Sequence, residues 1–169
     1  VSITLGAGTS HFSASTIDAG EFTFDSTASI EEDLQNTLGV ISASGATTIS
    51  LGANAGLAVS ALVVHSGGAT ITKGIGSSEV TFGVGISSEG ALTINGAGTG
   101  KLSLSSIATD GGFTFNGTGM ATSNYFSANT ITATSGDITF QFGYGMNGFV
   151  DVSSINTVSA FTLVGASLS

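Results

Sequence analysis

Few residues of this chain have the chemistry needed for catalysis or for binding a transition metal. The sequence contains no cysteine and only two histidines, His11 and His65. Because zinc sites combine several cysteine or histidine ligands, neither histidine is expected to bind a metal, and both are predicted at outward or rim positions. Nucleophile elbows, phosphate loops and HExxH segments do not occur, and the glycines of "GVGISSEG" fit strands and turns. An enzyme is therefore not expected.

Carboxylates recur in the turns of successive repeats and are weak candidates for calcium. Calcium takes about six to eight oxygen ligands, so backbone carbonyls or neighbouring repeats would have to complete such a site. Calcium is thus a possible cofactor, and no other cofactor is expected. The candidate ligands are Asp18, Glu21, Glu89, Asp110 and Asp137.

A second acidic group interrupts the otherwise regular pattern of the chain. Ser29 and Glu32 have the spacing of a capping box, and Ile30, Leu34 and Leu38 would share one helical face. This pattern predicts a short helical excursion near residues 27–38. The acidic residues of this segment are Glu31, Glu32 and Asp33. They are either solvated side chains of a tolerated insertion, or they form an assembly or docking site.

Threonines recur between apolar residues and are predicted to form an outward ladder. A flat threonine array is typical of ice-binding solenoids, although only Thr70-Ile71-Thr72 offers two hydroxyls in one repeat. The alternative is a ladder that only reflects the preference of threonine for strands and for contacts between them. The predicted ladder contains Thr4, Thr23, Thr72, Thr93, Thr114, Thr139 and Thr162, with Ser50 at the remaining position.

The composition excludes several classes of protein. The 169 residues include two lysines or arginines against eleven acids, giving a net charge of −9, which would repel nucleic acid and anionic lipid. A hydrophobic content of 41% with eleven phenylalanines provides a core, so disorder is not expected. No apolar run is long enough to insert into a membrane. Residues 1–169 are predicted to form one domain, and the initial valine suggests a mature or excised chain.

The elements that position these residues are internal repeats. A box of apolar residue, hydroxyl and apolar residue, often followed by glycine, recurs at intervals of about 22–23 residues, within the range of solenoid repeats. A second box, represented by "LSLSSI" at 102–107 and "FSANTI" at 126–131, ends in a polar pair that breaks the alternation, as a corner between strands would. Glycine-containing turns such as "TDGG" at 109–112 close each repeat.

Each repeat is interpreted as one coil of a β-solenoid. The predicted fold is all-β, with seven to eight coils, inward Ile, Leu, Val and Phe, and outward Thr and Ser. An antiparallel β-sandwich is the alternative, but it has no reason to repeat a corner in register. A single coil cannot bury its apolar face, so stability should come from neighbouring coils.

Two glycine-rich segments carry a resemblance to a known family. "LGAGTSHFS" at 5–13 and "NGAGTGKLS" at 95–103 resemble the nonapeptides of calcium-binding bacterial repeats-in-toxin proteins. The family has an aspartate where this chain has Ser10 and Gly100, so its calcium site does not carry over. In composition and repeat style, the chain resembles the β-solenoid regions of secreted bacterial surface proteins of the surface-layer, fibre or adhesin type.

These observations predict a non-catalytic structural protein. The chain begins and ends within strand boxes, so terminal coils with unpaired edges are expected to stack on other copies. The expected function is end-to-end self-assembly into a fibre or surface layer, in an extracellular or cell-surface location. The partner is the chain itself, with no nucleic acid and no membrane insertion. The alternatives are an ice-binding solenoid and a calcium-stabilised segment of an adhesin stalk.

Overall fold

The computed structural model describes residues 1–7, 11–28, 35–77, 79–143 and 149–165. In this part of the chain, thirteen β-strands belong to one hydrogen-bonded sheet, and no helix is found. Correspondingly, the described residues contain no helix able to span a membrane. The strands are β1 (Ser2–Thr4), β2 (Ser13–Ala19), β3 (Phe22–Asp25), β4 (Gln35–Ala43), β5 (Thr47–Ser50), β6 (Gly56–Val64), β7 (Ala69–Thr72), β8 (Val80–Ser88), β9 (Leu92–Thr109), β10 (Phe113–Ala133), β11 (Ile138–Phe142), β12 (Phe149–Thr157) and β13 (Phe161–Val164).

The strands form two stacks that run along the same rod. The first stack contains β1, β3, β5, β7, the start of β9, the start of β10, β11 and β13. The second stack contains β2, β4, β6, β8, the later parts of β9 and β10, and β12. Every pairing is parallel and joins one coil to the next. The predicted β-solenoid is therefore confirmed, and the antiparallel sandwich is wrong.

The chain winds through about six turns, so the predicted seven to eight coils are not confirmed. The sequence count included the short terminal segments β1 and β13, and neither belongs to a coil that the structure describes in full. At a spacing of about 4.8 Å between neighbouring strands, the eight strands of the first stack span roughly 34 Å along the rod.

Alternation of inward and outward residues builds the core. In β9, Leu102, Leu104 and Ile107 are buried, whereas the intervening Ser105 and Ser106 are partly exposed. Pairing with β10 skips Ser105, so the polar pair marks a corner at which one residue leaves the ladder. The "LSLSSI" box therefore has the predicted geometry: a strand with one buried face, followed by a bend.

Phenylalanines fill the core of the later coils. Phe115 lies across the core from Phe126, with ring centroids 4.4 Å apart, and beside Phe140 of the next coil, at 5.8 Å. Phe113 and Phe140 meet edge to face at 5.7 Å. Because aromatic side chains bury large areas and tilted pairs add further attraction, this cluster should contribute strongly to cohesion between coils.

The predicted helical excursion near residues 27–38 is not confirmed. Residues 27–28 form a turn, and residues 35–38 already belong to β4. Leu38 is fully buried and pairs with Ala14 and Val59. Backbone pairing with the coils on both sides stabilises the strand more than the local helical pattern of apolar residues would stabilise a helix. Residues 29–34, the centre of the predicted helix, lie outside the described residues.

Close contact between successive turns requires glycine at particular positions. A Cβ atom added to Gly90 would lie 1.2 Å from the carbonyl oxygen of Gly67 in the preceding turn. By contrast, a Cβ atom added to Gly20, also in a turn between the two stacks, would meet no described atom within 4 Å. The turns are therefore not equally tolerant of a side chain.

We predict that Gly90→Ala lowers the free energy of unfolding by about 1–3 kcal/mol, because the backbone of two turns must separate. Gly20→Ala is the matched control and should change stability little. Chemical denaturation of both variants measures the difference. Equal stability of the two variants would contradict the stacking of Gly90 on Gly67.

Candidate functional site

The outward face of the first stack carries an unbroken column of hydroxyl side chains, here called the threonine column. Its members occupy equivalent positions in successive strands, and the parallel register brings each beside the next. The column consists of Ser2, Thr23, Thr48, Thr70, Thr93, Thr114, Thr139 and Thr162.

Three predicted members of the ladder belong elsewhere. Thr4, Ser50 and Thr72 lie two residues further along their strands, in a second polar column. In these strands the threonine column takes Ser2, Thr48 and Thr70, which the sequence analysis did not include in the ladder. A shift of two residues keeps every side chain on the same face, so the hydropathy pattern does not distinguish the two alignments. The second polar column consists of Thr4, Asp25, Ser50, Thr72, Asn95, Asn116, Gln141 and Val164.

The second polar column contains a short chain of side-chain hydrogen bonds. Asn116 Nδ2 donates to Asn95 Oδ1 at 3.5 Å, and Asn95 Nδ2 donates to Thr72 Oγ1 at 3.3 Å. Asn116 Oδ1 accepts from the backbone N–H of Thr118 at 3.2 Å. Side chains in three successive coils are thereby held in register. Asp25 is the one charged residue in the two columns, so the face is almost uncharged.

The acidic calcium candidates are distributed over one strand and several turns. Asp18 is an outward residue of β2, and Glu21 lies in the turn before β3. Glu89 and Asp110 occupy the same position in successive turns, because their backbone N–H groups bond to Val64 and Ser88. Asp137 lies in the turn before β11. Among the described residues, no three His, Cys, Asp or Glu side chains are grouped closely enough to hold a metal ion.

The docking candidates Glu31, Glu32 and Asp33 lie outside the described residues. The histidines are both exposed, as expected for outward or rim positions. His65 has a neighbour in the preceding coil: its Nε2 lies 3.5 Å from Ser42 Oγ.

Two carboxylates act as hydrogen-bond acceptors in turns. Asp137 Oδ1 accepts from the hydroxyl of Ser159 and, at 3.0 Å, from the backbone N–H of Ala160. These bonds, from the Ser159 hydroxyl first, hold the pKa of Asp137 below its usual value of 3.8. The hydroxyl and then the backbone N–H of Thr27 lower the pKa of Asp25 in the same way. Asp137 thus connects its own turn to the next turn, in which Ser159 lies 22 residues further along the chain.

Lys73 is the most unusual charged residue of the described chain, and sequence analysis did not single it out. Its side chain points inward and is only 1% exposed. Its Nζ atom lies within hydrogen-bond distance of four backbone carbonyl oxygens, those of Gly74, Gly76, Ala97 and Thr99, which share the three N–H donors of the ammonium group. The available signal was a lysine at the inward apolar position of the box Ile71-Thr72-Lys73.

The segment at 95–103, which resembles a calcium-binding nonapeptide, is part of this arrangement. Ala97 and Thr99 direct carbonyl oxygens at the Lys73 ammonium group at 3.1 and 2.8 Å. The described geometry therefore places a cationic side chain, from the preceding coil, against this glycine-rich segment. Part of the other segment, at 5–13, lies outside the described residues.

Comparison with known proteins finds no family model, no curated protein and no solved structure that matches this chain.

The lowered pKa of Asp137 predicts an acid-dependent contribution to stability. The folded chain holds the carboxylate proton less tightly than the unfolded chain, so the contribution is present above about pH 4 and is lost as the pH falls through the lowered folded pKa. Asp137→Asn should therefore reduce the melting temperature more at pH 6 than at pH 3. Asp18→Asn is the control, because it makes the same charge change at an exposed position of β2. If both variants showed the same dependence of melting temperature on pH, the stabilising role of the Asp137 carboxylate would be contradicted.

Proposed function

We propose that this chain is a non-catalytic structural element of a bacterial or archaeal exterior, and that it associates end to end into a fibre or layer. The observation that carries the proposal is the apolar surface of the last described coil. Phe161 and Leu163 are 49% and 59% exposed. They pair in register with Ile138 and Phe140, which are buried. They therefore occupy core positions that lack a covering coil among the described residues.

The first coil of a second copy is a suitable cover for this surface. β1 begins the same columns: Val1 is 58% exposed and Ile3 is partly buried. In the first stack, β1 of one copy placed on β13 of another would bring Val1 over Phe161 and Ile3 over Leu163. Ser2 would then continue the threonine column beyond Thr162. The same parallel register that joins coils within the chain would join the two copies.

The regular backbone ladder supports a mechanical role. Each coil bonds to the coils on both sides through main-chain groups, and nearest-neighbour contacts of this kind add along a solenoid. A net charge of −9 would keep the sides of such rods apart in solution. Stiffness along the axis and repulsion between the sides suit a fibre that grows at its ends.

We predict that the purified chain forms rods whose length increases with concentration, measured by light scattering and electron microscopy. Leu163→Lys should weaken association at least about tenfold, because burying a leucine side chain contributes about 1.5–3 kcal/mol and this gain is lost. Val84→Lys is the matched control, since Val84 is 70% exposed on β8, in the middle of the rod. A wild-type chain that stays monomeric at every concentration would overturn the proposal.

Ice binding is the second candidate, and the completed threonine column favours it. Seven threonines follow one another without interruption, spaced about 4.8 Å apart as parallel strands require. Their hydroxyl and methyl groups form a regular, almost uncharged array, which suits a periodic layer of water. The face measures roughly 13 by 34 Å, an area of about 450 Å². A stable protein–protein interface buries about 800 Å² per partner, so this face is small for binding another protein.

If this face binds ice, the chain will show thermal hysteresis and will shape growing ice crystals. Thr93→Lys should abolish both effects, because a charged side chain in the middle of the column disrupts the ordered water. Thr132→Lys, at an outward position of the second stack, is the control and should retain them. Unmodified ice growth in the presence of the wild-type chain would exclude this candidate while leaving the assembly experiment unaffected.

A further inference from the structure

The solenoid ladder is interrupted on one side of β9. Pairing of β9 with β7 ends at Asn95, and pairing with β8 begins only at Leu102. Between these points Gly98 and Gly100 have φ values of 67° and 107°, which favour glycine. The carbonyl groups of Ala97 and Thr99 in this stretch face the preceding coil.

The preceding coil offers a loop to this stretch instead of a strand. Residues 73–77 follow β7 and approach β9 so closely that a Cβ atom on Gly98 would lie 1.7 Å from the carbonyl oxygen of Ile75. Two irregular backbone segments are thus packed directly against each other. The carbonyl groups in this contact are partly buried, and leaving such groups without hydrogen-bond donors is costly.

Lys73 supplies the donors. Its Nζ atom lies 3.3 Å from the Gly74 oxygen and 2.9 Å from the Gly76 oxygen in its own loop. It also lies 3.1 Å from the Ala97 oxygen and 2.8 Å from the Thr99 oxygen in the next coil. All four distances are within hydrogen-bond range of an ammonium group, whose three N–H donors are shared among the four oxygens. Such charge-assisted bonds are stronger than those of neutral donors.

We propose that these four carbonyl groups form a cation site, here called the carbonyl cage, whose ligand is the chain's own Lys73 ammonium group. The chemical class that the cage accepts is a primary alkylammonium. Four oxygens from two coils converge on one point, so their partial negative charges would repel one another if the cation were removed. The built-in cation therefore joins two coils between the described pairings of β9 with β7 and with β8.

Burial lowers the pKa of Lys73 to about 8. The group still carries its proton at pH 7, so the cage contains a cation under neutral conditions. Burial of an ammonium group is itself expensive, and the four carbonyl dipoles offset that cost. Lys101, the other lysine, provides a contrast: it is about half exposed, with Nζ 3.8 Å from Glu79 Oε1.

Chemical rescue tests the cage. Lys73→Ala removes the atoms from Cγ to Nζ, and n-propylammonium replaces these atoms as a separate molecule. Without it, the variant should melt at a lower temperature and should exchange the amide hydrogens near residues 73–77 and 97–100 about tenfold faster or more. Added n-propylammonium should restore both properties at pH 7, whereas 1-propanol at the same concentration should not. Lys101→Ala should show neither the defect nor the rescue.

A second measurement decides the question if Lys73→Ala does not fold. The native chain is treated with an amine-acetylating reagent, and the two lysines are compared by mass spectrometry. Lys73 should be acetylated at least about a hundredfold more slowly than Lys101, because it reacts only when the two coils open. Equal reaction rates would overturn the proposal, as would a Lys73→Met variant as stable as the native chain or rescue by 1-propanol equal to that by n-propylammonium.

Discussion

Parallel stacking of one coil on the next is the constraint on which this structure depends. Every strand pairs with residues about one repeat away, so each backbone bond and each inward side chain must find its partner in a neighbouring coil. The inward positions consequently form continuous columns, such as Ile49, Ile71 and Ile94 beside Phe115 and Phe140. The same constraint aligns the outward threonines and brings the turns so close together that Gly90 lies against Gly67.

Three of the buried polar side chains lie where this stacking is incomplete. Asn36 is 1% exposed and connects three coils: its Oδ1 accepts from the Phe12 N–H at 2.9 Å, and its Nδ2 donates to the Gly56 carbonyl at 3.2 Å. Ser26, also buried, accepts from the Gly52 N–H at 3.4 Å. Lys73 performs the same task with four carbonyl groups. In each of these three cases a side chain bonds to a backbone group that the ladder leaves without a partner, as buried polar groups generally require.

The proposed functions follow from surfaces that the stacking repeats. A solenoid multiplies whatever one coil displays, so a single outward threonine becomes a regular array and an exposed coil end becomes an adhesive surface. Neither surface needs a grouped set of reactive side chains. Ordinary residues become significant through repetition and register, so motif searches provide little information about a chain of this kind.

Several features of the fold could be predicted from the sequence because they depend on local periodicity. Alternating apolar and hydroxyl residues, polar pairs at corners such as Ser105 and Ser106, and glycine turns indicated strands of one repeating coil. The parallel solenoid followed, since only stacking of like coils buries the same inward face in every repeat.

The tertiary structure decided the features that depend on contacts between coils. In three strands the threonine column takes the residue two positions before the predicted one, for example Thr70 instead of Thr72, because a two-residue shift preserves the face and only the ladder between coils selects the register. Leu38 belongs to β4 because its backbone pairs with the coils on both sides and its side chain is buried between them. The role of Lys73 depends on carbonyl groups up to 26 residues away. Local sequence encodes which way a side chain points, whereas the neighbouring coil determines what it meets.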